Sequence, residues 1–249
     1  SVPPSISLTD CRTMYSDIPS QVGANLLDRR DRAAIVLAGG VGKRIGGLDK
    51  PLLEISGIPM LKHVVDAIGQ VCDEIVVSVG NDRQRCKIGN VLGDAIIVCD
   101  ALEGIGPLEG IRQSCRIVSR DLTAVVACDL PLLDAAVLKY LFNNIGPFDG
   151  AIPRWPDGKV EPLYSTFKTG RLAAAVEGAI RDDKRRIMDA LRPLSIHYVP
   201  MEELGKIDPG LASFINVNDE GDLEEARRIA SIRWRKLDDN SMGKVSKGM

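Results

Sequence analysis

The sequence predicts an α/β fold, a mostly parallel sheet with helices on both faces. An apolar run near the start breaks into a glycine-rich, cationic loop; short apolar runs then alternate with amphipathic stretches; and several of those runs end in an acidic or amide residue. The first run, Ala33-Ala34-Ile35-Val36-Leu37-Ala38, has the length and content of a buried strand, and glycines follow at 39, 40, 42, 46 and 47. Glycine tolerates φ > 0 and bares its N–H, so successive amides in this loop can point into one concavity suited to phosphate oxygens. Lys43, Arg44 and Lys50 add cations enough for a triphosphate and its departing pyrophosphate.

Two commoner phosphate loops do not fit. A P-loop needs Ser or Thr after its lysine, and Lys43 is followed by Arg44. In the dinucleotide fingerprint the third glycine would stand at 45, and it arrives at Gly46. A nicotinamide enzyme would also close its second strand with an acid for the ribose, whereas Val77-Ser78-Val79-Gly80-Asn81 has none.

Around that start the elements follow in order. Residues 1–31 carry Pro3, Pro4 and Pro19 without periodicity and read as an N-terminal extension with room for a short helix at 22–27. A single domain then covers 32–232, and 233–249 reads as a basic tail, a frayed helix end or disordered. Pro51 to Ile55 is extended before a turn at Ser56-Gly57. Apolar residues at 60, 61, 64, 65, 68 and 71 make one face of a helix over 60–71 and leave His63 off the stripe as an exposed residue. Strands are expected at 74–79, 95–99 and 123–128, and helices at 108–118, 133–143 and 171–180. Gly150 to Ile152, a turn at Trp155-Pro156-Asp157-Gly158-Lys159 and the β-rich 163–167 form a hairpin-like insertion, a natural place for a second substrate's lobe. Strands at 196–199 and 214–217 and a helix over 220–236 complete the chain.

Composition narrows the functional classes. The chain is 45% hydrophobic over 249 residues, enough for one sizeable core or two lobes sharing a sheet. A formal charge of −2 gives no global field for nucleic acid or an anionic membrane, so anion binding is local. No apolar run approaches the ~20 residues of a membrane span, and the first residues lack a secretory pattern, so a cytoplasmic protein is expected. The 6 cysteines are scattered without Cys-x-x-Cys and only 2 histidines accompany them, so we expect reduced, mostly buried thiols and neither zinc nor a disulfide framework.

The chemistry gathers where strands end. Ile96-Ile97-Val98-Cys99 runs into Asp100, Val125-Val126-Ala127-Cys128 into Asp129, and Phe214-Ile215-Asn216-Val217 into Asn218. In an open parallel sheet the carboxyl ends of strands face one crevice, where ligands bind. Any one of these residues alone would serve as a helix cap; beside a cationic phosphate loop, together, they read as ligand contacts. Asp129 is the best metal ligand, since magnesium takes one or two carboxylates with phosphate oxygens and water, and Pro131 stiffens the backbone that follows. Asp100 reads as a contact to nucleotide or metal-bound water. Gly104-Ile105-Gly106-Pro107-Leu108-Glu109-Gly110 is a second glycine turn into a helix N-terminus, another place where amides meet an anion.

Leu37-Ala38-Gly39-Gly40-Val41-Gly42-Lys43-Arg44-Ile45-Gly46-Gly47 with Leu48-Asp49-Lys50, Cys99-Asp100 with Gly106 to Ile111, Cys128-Asp129-Leu130-Pro131 and Phe214 to Asn218 resemble, in order, the motifs of the molybdenum-cofactor guanylyltransferases. The resemblance covers about residues 33–230 and implies the three-layer, Rossmann-like GT-A nucleotidyltransferase fold. It implies transfer of GMP from GTP to the terminal phosphate of molybdopterin with Mg2+, giving the guanine dinucleotide cofactor and pyrophosphate. By position, Leu37, Ala38 and Gly39 would line the guanine and ribose, with Gly40, Gly42 and Gly106 also on GTP. Arg44 and Lys50 would hold phosphates, Asp100 the nucleotide, and Asp129 both nucleotide and metal; Arg44, Lys50 and Asp129 are the catalytic set. Asn216 and Asn218 match an Asn-x-Asn on the metal and pterin side, Asn218 as second metal ligand. Lys184-Arg185-Arg186 resembles a basic segment near the pterin phosphate and reads equally as a solvated helix start. The implied partners are GTP, a molybdopterin-type acceptor and, transiently, molybdoenzymes or their chaperones. Asp219-Glu220 stand where the family often has Thr-Pro, adding negative charge, and Gly80 and Asn81 compete to match a family asparagine. Guanylyl transfer to another phosphate monoester such as adenosylcobinamide phosphate, a molybdopterin cytidylyltransferase and a nucleotide-sensing binding module stand as alternatives.

Overall fold

Strand β1 (Arg32–Leu37) is buried along its whole length, and every other layer is arranged around it. The computed structural model describes residues 31–39, 49–93, 95–102 and 104–245, with residues 234–245 described by their backbone. The helix expected at 22–27 and the loop residues Gly40, Gly42, Lys43, Arg44, Gly46 and Gly47 lie outside the described residues. After the glycine loop come a 3-10 turn (Lys50–Leu52), a hairpin of β2 (Glu54–Ile55) and β3 (Ile58–Pro59), α1 (Met60–Ile68), β4 (Glu74–Val79), α2 (Asp82–Leu92) and β5 (Ile96–Cys99). The chain continues through α3 (Pro107–Cys115), β6 (Leu122–Ala127), α4 (Ala135–Asn143), β7 (Gly150–Arg154), β8 (Tyr164–Lys168), α5 (Thr169–Arg181) and α6 (Ile187–Leu191). It closes with β9 (Ile196–Pro200), α7 (Met201–Leu204), a second 3-10 turn (Ala212–Phe214) and α8 (Glu220–Val245).

The main sheet has the order β5-β4-β1-β6-β8-β7-β9. β8 is antiparallel to both its neighbours and the remaining pairs are parallel. A parallel strand in mid-sheet must be covered on both faces, and the alternation of side chains along β1 decides what covers which. Ala34 and Val36 join Leu61, Val64 and Ile68 of α1 and Val137, Leu138 and Leu141 of α4 in one core. Ile35 and Leu37 join Leu108 and Ile111 of α3 and Leu172 and Val176 of α5 in the other. The expected three-layer α/β arrangement is therefore present, and β7 and β8 form the expected hairpin, turning at Gly158 (φ +90°).

Four expectations change. Helix α2 is absent from the sequence reading because only Ile88 of its residues is buried; it is fixed instead by its cap, Asn81 Oδ1 accepting the Gln84 N–H at 3.0 Å. Phe214 to Val217 is not a strand: the chain makes a 3-10 turn and then an extended segment whose Val217 N–H donates to the Asp129 carbonyl at 2.9 Å. Helix α8 does not stop at Lys236 but continues to Val245, and Arg233 is docked in the body rather than lying in a tail. His63 is half-buried, its Nε2 2.9 Å from the Ile55 carbonyl, because the hairpin folds back over α1.

Asp149, just before β7, ties two later segments to the sheet. Its Oδ1 accepts from Arg171 Nε at 2.9 Å and its Oδ2 from the Ser195 N–H at 3.0 Å. The Arg171 bond first, then the Ser195 amide, holds this carboxyl below the usual carboxylate range. A depressed folded value means stability that is complete above the unfolded value near pH 4 and lost as pH falls through the lower folded one. Asp149→Asn should therefore flatten the acid limb of a melting-temperature profile taken from about pH 7 to about pH 3, and an unchanged limb would contradict this.

Candidate active site

The strand order puts a crevice at one edge. From β1 the chain builds outward through β4 and β5, then returns to lay β6 on β1's other side, so connections diverge above the carboxyl ends of β1 and β6. Those ends are tightly tied: the Ala38 N–H donates to Ser78 O (2.8 Å), the Cys128 N–H to Leu37 O (3.1 Å) and the Asp100 N–H to Val79 O (2.9 Å). A Cβ on Gly39 would stand 2.9 Å from the Gly80 nitrogen, so a glycine is required where β1 leaves the sheet. Leu37 and Ala38 are buried at 8% and 3% exposure, which leaves mainly their backbone to face a ligand.

Three expected residues meet directly. Lys50, opening the 3-10 turn after the glycine loop, donates from Nζ to Asp129 Oδ2 at 2.7 Å and to Asn218 Oδ1 at 3.0 Å. Its neighbour Asp49 is paired with Lys87 of α2, which anchors the far end of the loop. Asp129 Oδ1 is enclosed and has no hydrogen-bond partner among the described residues. An enclosed, unpaired carboxylate oxygen is costly unless a ligand completes it. With Asn218 it offers the all-oxygen donors a hard cation prefers, and no group of three or more His, Cys, Asp or Glu suited to a metal occurs among the described residues. One acid and one amide suit magnesium, which fills its remaining positions with phosphate oxygens and water.

The segment carrying Asn216 and Asn218 is placed from both sides. Val217 hangs on the Asp129 carbonyl, while the Asn218 N–H donates to Asp222 Oδ2 at 2.7 Å. Asp219 Oδ1 in turn accepts the Asp222 N–H at 3.0 Å, so Asp219 caps α8, with Glu220 in its first turn. Asn216 is half-buried in the same segment. Phe214 packs against Tyr164 (centroids 4.8 Å apart) and edge-on to Trp155 (6.2 Å), bringing the β7–β8 turn to this rim.

On the β5 side, Asp100 is half-buried, with Ser78 Oγ at 3.4 Å. Burial, then the charge of Glu109, pushes its carboxyl up, while the Ser78 hydroxyl opposes this. Glu109 is fully buried in the first turn of α3 and was not singled out from the sequence as a site residue. Burial alone would raise its carboxyl, yet hydrogen bonds from Gln113 (2.7 Å), Arg112 (2.9 Å) and the Ala101 N–H (3.1 Å) hold it low. It thereby fixes the backbone just after Asp100; an acid in a helix's first turn was the available signal. Gly106 (φ +75°) caps α3. Arg185 Nη1 donates to the Gly104 carbonyl at 2.8 Å, so the basic segment lies against this second glycine turn. Lys184 pairs with Asp182, and Arg186 is exposed. Gly40, Gly42 and Arg44 are outside the described residues, and the choice between Gly80 and Asn81 leans to neither: Asn81 caps α2, and the Gly80 N–H donates to Gln84 Oε1 at 2.8 Å.

Among the described cysteines, Cys72 and Cys128 are buried and Cys86 is exposed. Burial above all, then the Asp129 charge, pushes the Cys128 thiol up to about 12. Mass-mapped alkylation near pH 8 should label Cys86 while sparing Cys128 until unfolding. Equal rates at the two would show that this end of β6 is open.

Comparison with known proteins agrees with this geometry. Residues 34–196 match the model of the MobA-like NTP transferase domain. A probable molybdenum cofactor guanylyltransferase of Methanosarcina mazei is 33% identical over 202 residues, 79% of this chain and 90% of the relative. The molybdenum cofactor guanylyltransferase of Pseudomonas paraeruginosa is 33% identical over 184 residues, 72% and 87%. The crystal structure of molybdopterin-guanine dinucleotide biosynthesis protein A from Archaeoglobus fulgidus superposes with a TM-score of 0.68 at 29% identity, over 80% of this chain and 98% of that one. A 4-diphosphocytidyl-2C-methyl-D-erythritol synthase from Anaerococcus prevotii shares the fold at 15% identity, with a TM-score of 0.63 over 84% and 99% of the two chains. With the domain match covering more than half its length and a relative 33% identical over 90% of its own length, the chain belongs to the MobA-like NTP transferase family.

Proposed function

We propose that the chain transfers GMP from GTP to the terminal phosphate of a molybdopterin-type acceptor and releases pyrophosphate. The observation that carries this is the meeting of Lys50, Asp129 and Asn218 above the ends of β1 and β6, together with relatives named for that activity. In the reaction an acceptor phosphate oxygen attacks the α-phosphorus of GTP in line, the α–β bridging bond breaks, and its electron pair leaves on pyrophosphate. The nucleophile is already an anion, so the difficulty is bringing anions together in the right alignment. Lys50, with Arg44 from the glycine loop, would hold the triphosphate and stabilise charge on the leaving group. The amides of Gly40 and Gly42 would cradle phosphates, Leu37, Ala38, Gly39 and Asp100 would fix the nucleoside, and Gly106 would add a further contact to GTP. Asp129 and Asn218 would hold Mg2+, which when bound draws charge from the reacting phosphates. Asn216 and the segment Lys184-Arg185-Arg186 would face the acceptor, as would the β7–β8 turn.

No helix among the described residues is long and apolar enough to cross a membrane. We place the reaction in the cytoplasm, with the product passed on to molybdoenzymes or their chaperones. The test is product analysis with purified protein, magnesium, one nucleotide and one acceptor at a time. Pyrophosphate together with a guanine dinucleotide is expected only from GTP plus molybdopterin. Faster turnover with CTP, or with adenosylcobinamide phosphate, would reassign the substrate, and binding without turnover would leave a sensing module.

A further inference from the structure

One ammonium is bonded to two of the three side-chain oxygens that Asp129 and Asn218 offer a metal. Lys50 Nζ lies 2.7 Å from Asp129 Oδ2 and 3.0 Å from Asn218 Oδ1, while Asp129 Oδ1 is enclosed. A magnesium ion needs its oxygens at about 2.0–2.1 Å. Taking Asp129 Oδ2 or Asn218 Oδ1 at that distance would set it beside an ammonium already bonded to both oxygens. Were the carboxylate to present Oδ1 instead, two cations would still share one carboxylate. The Lys50 and Asp129 side chains are only 17% and 22% exposed, so solvent and salt screen that repulsion weakly.

We propose that Lys50 and the divalent cation compete for Asp129 and Asn218, so that the metal binds tightly only together with a triphosphate that gives the ammonium another partner. This rests on the metal site proposed above and adds an order to it. Lys50 opposes the bare cation but favours the cation–nucleotide complex, because phosphate oxygens accept the ammonium when the carboxylate gives it up. The placement of Lys50 suits such an exchange. Lys50 stands at the start of a short 3-10 turn whose preceding residue, Asp49, is paired with Lys87 of α2, so the backbone that carries the ammonium is tied to the body independently of Asp129.

The probe is Mn2+, followed by its paramagnetic signal on the full chain, first alone and then as the preformed Mn2+–GTP complex. Lys50→Met should bind bare Mn2+ on the order of tenfold more tightly than the unaltered protein, in the range usual for coupled sites. The same variant should bind Mn2+–GTP more weakly, a reversal of sign between the two titrations. Lys50→Arg, which keeps the charge, should not gain affinity for bare Mn2+, and Lys50→Gln replaces Lys50→Met if the latter melts early. Unchanged or weaker binding of bare Mn2+ by both neutral variants would overturn the competition, as would tighter binding of Mn2+–GTP. A gain that persists in Lys50→Met combined with Asp129→Asn would show that the cation sits elsewhere, which defeats the metal assignment rather than the exchange.

Discussion

Asp129→Ala should lower turnover by about a hundredfold or more while the protein still folds, the loss expected when a preorganised electrostatic contact to the reacting phosphates is removed. The fold should survive because what β6 contributes to the neighbouring segment at this point is backbone. The Asp129 carbonyl accepts the Val217 N–H at 2.9 Å, and alanine keeps that bond. What disappears is the carboxylate that engages Lys50 and offers an enclosed, unpaired oxygen to a cation. Asp129→Asn separates charge from shape: it keeps the volume and should lose nearly as much. Pyrophosphate release beside a thermal melt gives both readouts, and normal turnover in a folded variant would remove Asp129 from the mechanism.

Arg233→Ala should destabilise the fold by about 3 kcal/mol, because it strands a buried charge. Arg233 reaches from α8 into the body, donating to the Leu132 carbonyl at 3.1 Å, to Asp134 Oδ2 and to Asp208 Oδ1 at 3.1 Å. Asp208 is only 2% exposed, and its other oxygen accepts the Ser213 N–H at 2.8 Å. Without the guanidinium this carboxylate is left in the interior with one hydrogen bond. The same contacts brace the residues after Asp129 and the turn before Phe214, so the variant should also loosen the segment that ends at Asn218. Urea unfolding measures the loss; Asp208→Asn placed in the Arg233→Met background should recover part of it by removing the stranded charge. A loss below about 0.5 kcal/mol would mean that the pair behaves as an exposed one.

Much of this architecture could be read from residue order, for identifiable reasons. Strands β1, β4 and β6 announce themselves as apolar runs because they are buried in mid-sheet; β5 stands at the sheet edge and shows as an apolar run although only Val98 of it is buried, and acids follow directly on β5 and near the end of β6. Helix α2 did not, since one buried residue leaves no periodicity to detect, and only its capping asparagine marks it. Phe214 to Val217 looked like a strand for the opposite reason: Phe214 and Val217 are buried, but Phe214 against Tyr164 and Val217 among Leu53, Met60 and Leu223 rather than in a ladder. Lys50 and Asp129 could each be singled out from their motifs, yet their contact spans 79 residues and depends on β6 lying beside β1, which no local pattern states. Glu109 and Arg233 were passed over because their importance lies in partners distant in the fold or in backbone they hold, and a charged residue near a helix end looks the same whether docked or solvated.

We propose that a metal-bound guanosine triphosphate sits where Lys50, Asp129 and Asn218 meet. The most direct test of this is the melting temperature with GTP, CTP, ATP or NAD, each with and without magnesium, for the unaltered chain and for Asp129→Asn, since a ligand selective for the native state raises that temperature. The account predicts the largest rise for GTP with magnesium and its loss in Asp129→Asn. A larger rise with CTP or NAD, or a GTP response that Asp129→Asn leaves intact, would contradict it.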